Sequence, residues 1–218
     1  MLVRLVALIL ALAATPVAFA QGVQPFQEGK HYFRIEPAQP TSTGSKVEVT
    51  EVFSYACPAC ALLQPQVEAW HKRKPANAQL VRTPAAWNPN WELVARDYYA
   101  AEAMGILDKT HAALFQALHV ERKPLTTLEQ LAGWYEQNAG VKAADVLATM
   151  RSFAIETKIR RSKQIVPRYG VDSTPTLIVA GKYRITGQSA GGYDALFAII
   201  DFLVARESAA RTTAPARP

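Results

Sequence analysis

The only two cysteines of this 218-residue chain, Cys57 and Cys60, are separated by two residues. A disulfide between them would close a very short loop, and such a cross-link removes little entropy from the unfolded chain. Stability is therefore a poor reason for the pair to exist, and reactivity is the better one. The pair is a candidate redox site.

The residues around the pair predict a strand followed by a helix. Residues 47–55 are rich in β-branched and aromatic side chains, as buried strands are, and a helix is expected from there to about Lys74. Pro58 suits the first helical position, where its missing N–H costs nothing. Cys57 is then placed at the helix N-terminus, where unpaired N–H groups and the helix dipole favour a thiolate. Cys60 follows one turn later on the same face, within disulfide reach.

This placement predicts a division of labour between the two sulfurs. Cys57, exposed and acidic, attacks or is attacked, whereas the more buried Cys60 resolves the mixed disulfide. A C-x-x-C pair is also half of a zinc site, but the other two ligands are missing from the pattern. The four histidines are dispersed, and we expect them to be surface or core residues: His31, His71, His111 and His119. Redox chemistry is favoured, and neither a metal nor another cofactor is expected.

The first part of the chain predicts a β-α-β unit. An edge strand is expected at residues 31–35, and a second short strand at 79–82 follows the helix that carries the cysteines. A helix that connects neighbouring strands of one sheet makes them parallel.

The middle of the chain, residues 91–169, has helical periodicity and predicts four or five helices. Thr126 with Glu129 three residues later is typical of a capping box at the start of one of them. No internal repeat is evident.

Strand patterns return at residues 176–180 and 183–186, joined by a tight turn at Gly181-Lys182. Residues 192–206 then predict an amphipathic helix. A sheet of two strands has too little apolar face to fold alone. We therefore expect one sheet interrupted by a helical segment, with two independent domains as the alternative.

The N-terminal residues predict export. Arg4 precedes an apolar run at residues 5–13 and the small-residue triplet Ala18-Phe19-Ala20, which is typical of a signal peptide cleaved after Ala20. The run is shorter than the roughly 20 residues that a spanning helix needs. The chain has a net charge of +6, but its basic residues are scattered and not interleaved with aromatic residues, so nucleic-acid binding is not expected.

Residues 53–60 (FSYACPAC) and 171–176 (VDSTPT), together with the interrupted order of elements, resemble the DsbA family of bacterial periplasmic thiol:disulfide interchange proteins. The resemblance covers residues 46–206. It implies an α/β thioredoxin-like fold, a central mixed sheet interrupted by an inserted α-helical domain. The expected divisions are a signal peptide (1–20), two parts of the thioredoxin-like domain (21–83 and 169–207), the helical insertion (84–168) and a disordered tail (208–218).

The resemblance also implies roles for particular residues. Pro175 is expected to be cis and packed beside the cysteines, with Thr174 binding substrate, although the residues alone favour an ordinary trans proline at a strand start. Glu51, on a strand face predicted to be buried, corresponds to the acid that passes protons during exchange. Alternation alone leaves a surface position equally open for it. Pro58 and Ala59 complete the active-site helix.

Two positions depart from the family pattern. Many members have His where Ala59 stands and Val where Thr174 stands. Alanine offers neither a charge nor a side-chain hydrogen bond to a Cys57 thiolate. We therefore expect this protein to be less oxidising than relatives with that histidine.

The function predicted from these features is the donation of disulfides to reduced or unfolded exported proteins in the periplasm. The resemblance implies reoxidation by a DsbB-like membrane quinone reductase. A disulfide reductase or isomerase is an alternative, and a non-catalytic thiol module that binds peptides or Cu(I) is another. No dimerisation segment is recognised before Val47, so a monomer is expected.

Overall fold

The computed structural model describes residues 25–213. The signal peptide predicted at residues 1–20 and the last five residues lie outside this range. Among the described residues, none of the helices combines the length and apolar character that a membrane crossing requires.

Five strands within residues 25–213 form one mixed sheet. They are β1 (Phe33–Arg34), β2 (Val47–Phe53), β3 (Ala78–Pro84), β4 (Thr176–Val179) and β5 (Tyr183–Thr186). The spatial order is β1-β5-β4-β2-β3, in which β2 and β3 are parallel and the other neighbours are antiparallel. Because β2 pairs with β4, the two predicted half-sheets are one sheet, and the alternative of two independent domains is wrong.

Helices cover the sheet and fill the segment between β3 and β4. They are α1 (Pro58–Arg73), α2 (Pro89–Ala103), α3 (Leu107–His119), α4 (Leu128–Ala139), α5 (Ala143–Met150), α6 (Phe153–Arg168), α7 (Gly187–Ala190) and α8 (Tyr193–Thr213). Five of them, α2 to α6, occupy the region for which four or five were predicted. The fold is thus a thioredoxin-like sheet interrupted by helices, as expected.

The core of the helical segment is continuous with the cysteine pair. All seven residues of β2 are buried, since the strand has neighbours on both sides and helices on both faces. Its last residue, Phe53, belongs to the same apolar cluster as Tyr55, both cysteines and side chains of α2 to α6. The helices therefore form one wall around the start of α1.

Two local predictions are displaced by one residue. The capping box of α4 is formed by Thr127 and Gln130, because the Gln130 side chain reaches back to the N–H of Thr127. The turn between β4 and β5 is centred on Ala180 and Gly181, whose φ angles of +55° and +65° lie in the left-handed region. Such angles are typical of the type I′ hairpin turn.

The prediction of a disordered tail from Ser208 is wrong for residues 208–213, which continue α8. The sequence there contains Ala and Arg, which have high helix propensity. In addition, Arg211 donates hydrogen bonds to the carbonyls of Ser45 and Lys46 at 2.8 and 2.9 Å. These contacts with a distant loop could not be inferred from the tail composition.

Candidate active site

Cys57 is the N-cap residue of α1, and Pro58 occupies the first helical turn. The Cys57 carbonyl accepts hydrogen bonds from the N–H groups of Cys60 and Ala61 at 3.1 and 3.2 Å. The helix therefore begins at the place predicted from the proline, and it presents its first amide groups beside the Cys57 sulfur.

Both thiols are free and buried, but to different degrees. Cys57 is 7% exposed and Cys60 is fully buried. Cys60 is the more buried of the two, as predicted, but the expectation of an exposed Cys57 is wrong. The apolar cluster of the helical segment and the loop at Thr174 cover Cys57. Both are far from Cys57 in the sequence, so the residues around the cysteine do not predict its burial.

The two thiols also have opposite acidity. A hydrogen bond from the Cys60 thiol is the largest cause that lowers the pKa of Cys57 to about 5. Desolvation opposes this shift, whereas Thr174 and the N–H groups of Cys60 and Ala59 add to it. Burial raises the pKa of Cys60. The pair thus combines one thiolate at neutral pH with one thiol.

The loop before β4 lies against the Cys57 sulfur. The Thr174–Pro175 peptide bond is cis, the geometry that the family resemblance implies. The Cys57 sulfur lies 3.4 Å from the Thr174 carbonyl oxygen, so the two segments meet although 117 positions separate them.

Glu51 lies in the middle of β2 and is 2% exposed, so the surface alternative for this residue is wrong. Desolvation raises its pKa, and Arg82 opposes the shift. Arg82 contacts Glu51 at 3.1 Å and Glu68 at 2.5 Å, so two carboxylates share one guanidinium. Sequence reasoning missed Arg82, although the parallel register of β2 and β3 places it directly opposite Glu51.

The other residues that the sequence singled out are Pro58 and Ala59 and the histidines. Pro58 is exposed and Ala59 is half-buried on α1. His111 and His119 were expected to be surface or core residues, and His111 is indeed buried in the core. Both histidines also contact Tyr55, two residues before Cys57. Within residues 25–213 no group of three His, Cys, Asp or Glu side chains could hold a metal ion.

A groove of about 710 Å³ adjoins the loop at Thr174 and Pro175. Phe33 and Tyr193 add apolar surface to its lining, and Arg184 adds a positive charge. The residues that line this groove come from two distant parts of the sequence, around Phe33 and from Asp172 to Tyr193. An extended peptide that reaches Cys57 along the Thr174 loop would have room there.

A thioredoxin-like sheet that presents an acidic cysteine and a buried partner one turn later defines a thiol:disulfide oxidoreductase. A family model described as a DSBA-like thioredoxin domain matches residues 76–196. The thiol:disulfide interchange protein DsbA of Pseudomonas syringae pv. tomato is 35% identical over 195 residues, which are 89% of this chain and 91% of that protein. The chain belongs to the DsbA family.

Further comparisons agree with this assignment. DsbA of Pseudomonas aeruginosa strain PAO1 is 34% identical over 197 residues, which are 90% of this chain and 93% of that protein. A crystal structure of Pseudomonas aeruginosa DsbA superposes with a TM-score of 0.82 at 34% identity, covering 86% of this chain and 97% of that one. DsbA from Xylella fastidiosa superposes with a TM-score of 0.79 at 29% identity, covering 86% and 100%.

Proposed function

We propose that this protein donates a disulfide between Cys57 and Cys60 to reduced proteins outside the cytoplasm. The observation that carries the proposal is the placement of the pair, with Cys57 at the N-cap of α1 and Cys60 fully buried one turn later. The hydrogen bond from the Cys60 thiol lowers the pKa of Cys57 to about 5, and burial raises the pKa of Cys60. A stabilised thiolate favours the reduced form of the pair and therefore makes its disulfide a stronger oxidant.

The exchange takes place in two displacements. A substrate thiolate attacks the Cys57 sulfur of the oxidised pair, and the Cys60 sulfur leaves and takes up a proton. A second substrate thiolate then attacks the substrate sulfur of the mixed disulfide, and Cys57 leaves as a thiolate. The substrate loses two electrons, and the cysteine pair gains them. A thiol of low pKa leaves readily, so the second displacement benefits from the position of Cys57 at the start of α1.

Thr174 and Pro175 are proposed to bind the substrate chain beside Cys57. The Thr174 carbonyl is already within 3.4 Å of the Cys57 sulfur, and the groove next to it is lined by side chains that suit an extended peptide. Backbone groups before a strand are available for pairing with an added chain, which is a common mode of peptide recognition.

Glu51 is proposed to pass protons to and from the buried Cys60. Its carboxylate is buried, and Arg82 links it to Glu68, whose side chain is 34% exposed. The ionic chain therefore extends from the interior towards solvent. Arg82 stays protonated and does not relay a proton itself. The proton that the buried Cys60 thiol takes up or loses would be held on the Glu51 carboxyl, and Arg82 would modulate its pKa.

Mixed-disulfide trapping tests the proposal. Oxidised wild-type protein should convert a reduced two-cysteine peptide into its disulfide, as read by mass spectrometry. The Cys60→Ser variant is given the same peptide in its disulfide form. Its Cys57 thiolate attacks the peptide disulfide and one peptide sulfur leaves as a thiolate, so adducts through Cys57 that disappear on reduction should accumulate, because no Cys60 thiol resolves them. Cys57→Ser is the matched control and should give neither product. Failure of the wild-type protein to oxidise the peptide would contradict the proposal.

The effect of Ala59 on the oxidising power stays a prediction. An Ala59→His variant places a cation beside the Cys57 thiolate and should lower its pKa further. The equilibrium with glutathione should then shift towards reduced protein by roughly tenfold for each unit of pKa lowered. An unchanged equilibrium, or one shifted towards oxidised protein, would show that this position does not set the potential.

The cellular context follows from the predicted leader and from the family. We place the protein in the periplasm after cleavage at Ala20, as a monomer that acts on exported proteins. A DsbB-like membrane quinone reductase would restore the disulfide. Comparing the oxidation state of the cysteine pair in cells with and without that reductase tests this part separately, since a partner-independent donor would stay oxidised in both.

A further inference from the structure

One face of α3 carries three ring side chains at intervals of four residues: His111, Phe115 and His119. Residues four apart on a helix lie above one another on the same face. The three rings meet a single residue of the sheet domain, Tyr55, in the loop between β2 and α1. The Phe115 and His111 rings lie 4.9 and 5.2 Å from the Tyr55 ring, measured between centroids.

The two histidines contact opposite ends of Tyr55. The Nδ1 atom of His111 lies 2.6 Å from the phenolic oxygen, and the Nε2 atom of His119 lies 2.7 Å from the main-chain carbonyl oxygen. A carbonyl oxygen only accepts hydrogen bonds, so Nε2 of His119 carries the proton and donates. In the described part of the chain, His119 supplies the hydrogen bond that this carbonyl accepts.

Tyr55 lies in the turn that carries Cys57. The Cys57 N–H donates to the Ser54 carbonyl at 3.1 Å, and the Ala56 N–H donates to the Ser54 hydroxyl at 3.1 Å. Both bonds are local, and they close the turn without fixing it to the helical insertion. The hydrogen bond from His119 ties the main chain of the turn to α3.

The orientation of this turn matters for the reactive sulfur. Amide N–H groups at a helix N-terminus stabilise an anion only where they point at it, and a hydrogen bond weakens steeply when it is misaligned. A rotation of the peptide plane at Tyr55 would move the following residues, and Cys57 is only two positions further on. A fixed carbonyl therefore restricts where the sulfur lies relative to α1.

We propose that His119 is a positioning residue for the exchange reaction, whose hydrogen bond to the Tyr55 carbonyl holds the Cys57 turn so that the sulfur faces the first N–H groups of α1. Its importance for catalysis rests on the proposed function. The effect of this hydrogen bond on the acidity of the Cys57 thiol can be measured without any protein substrate. The helical insertion thereby acts on the redox centre from a distance, in addition to covering it.

Two substitutions in the full-length chain separate the hydrogen bond from packing. The amide nitrogen of glutamine can replace the Nε2 donor in His119→Gln, whereas His119→Phe keeps a ring beside Phe115 but removes the donor. The ring of His119 lies 6.1 Å from that of Phe115, so a phenyl group preserves this contact. Thiolate absorbance as a function of pH and the equilibrium with glutathione are measured for both variants, with urea unfolding to monitor stability.

His119→Phe should lower the thiolate-to-thiol ratio of Cys57 at a fixed pH by about threefold or more, which corresponds to half a pKa unit. The glutathione equilibrium should shift towards oxidised protein by a similar factor, and His119→Gln should stay within about twofold of wild type in both measurements.

The proposal is overturned if His119→Phe loses stability while its thiolate ratio stays at the wild-type value, or if His119→Gln behaves like His119→Phe. A wild-type protein that fails to oxidise peptides would contradict the proposed function instead, since the thiolate ratio is still measured.

Discussion

Two of the buried carboxyl groups lie in different regions of the molecule, Glu51 in the sheet and Asp97 in α2 of the helical insertion. Glu51 contacts the guanidinium of Arg82 at 3.1 Å. Asp97 accepts a hydrogen bond from the Tyr135 hydroxyl at 2.8 Å, and its other oxygen has no hydrogen-bond partner in the described part of the chain. Desolvation raises the pKa of both groups, that of Asp97 to about 8.

The difference shows that burial has two outcomes, depending on the neighbour. Asp97 has no cation beside it and accepts a single hydrogen bond, so burial keeps it protonated near neutral pH. A buried acid beside a cation is drawn back towards the charged form, and Arg82 opposes the rise in the pKa of Glu51 in this way. The sheet therefore holds its buried acid beside a cation, whereas the helical insertion holds its own beside a neutral hydroxyl.

Removing the cation should have the largest effect. Arg82→Met leaves Glu51 buried without its partner, and the free energy of unfolding should fall by about 3 to 5 kcal/mol at pH 7. The loss should be smallest near pH 4 and grow with rising pH, because the unpaired carboxyl has a raised pKa in the folded state and favours folding only while protonated. Urea unfolding at several pH values measures both effects.

The matched control for that substitution is the double variant Glu51→Gln/Arg82→Met, which buries no charge. It should recover most of the lost stability at pH 7 and show little dependence on pH. If the double variant is no more stable than Arg82→Met, the unpaired carboxylate is not the cause, and the contrast with Asp97 fails.

Asp97→Asn should have a smaller effect of opposite sign. The folded-state pKa of Asp97 is about 8, against 3.8 for the free side chain, so wild type loses stability as pH rises between these values. The asparagine variant lacks this titration and should be more stable at pH 7 by on the order of 3 kcal/mol.

Urea unfolding between pH 4 and pH 8 measures this difference, which should vanish near the acid end. Asp108→Asn, at an exposed position of α3, is the matched control and should change stability by less than about 0.5 kcal/mol. An Asp97→Asn curve that runs parallel to wild type across this range would mean that Asp97 titrates normally in the folded protein.

The smallest effect is expected at Glu68, the outer partner of Arg82. Its side chain is 34% exposed, and ion pairs near the surface contribute little, so Glu68→Gln should lower stability by less than about 1 kcal/mol. Comparing the stability loss of Glu68→Gln with that of Arg82→Met separates the contribution of the outer Arg82–Glu68 contact from that of the buried Arg82–Glu51 contact. A loss as large as that of Arg82→Met would place the stabilising contact at the surface rather than at Glu51.

Much of the site was predictable because it depends on local sequence. The spacing of Cys57 and Cys60 and the position of Pro58 set the start of α1 and the reach between the sulfurs. The β-branched run predicted β2, and helical periodicity predicted four or five helices where five lie between β3 and β4. The family resemblance, rather than the residues, supplied the cis geometry at Pro175.

The contacts of the site with distant segments were not predictable in this way. Arg82 meets Glu51 through the register of two strands, and His119 reaches Tyr55 from a helix 64 positions further along the chain. The near-complete burial of Cys57 also depends on such packing. Hydrophobic patterns indicate that a face is buried but not which side chains cover it.

The sequence by itself determined that a helix begins at the reactive cysteine, because capping and helix periodicity depend on residues that are neighbours in the chain. Only the tertiary structure decided what surrounds that sulfur, including the Thr174 carbonyl, the turn held by His119 and the cation beside Glu51. Acidity and proton access depend on distances of a few ångströms between groups far apart in sequence, and such distances are set when the whole chain packs.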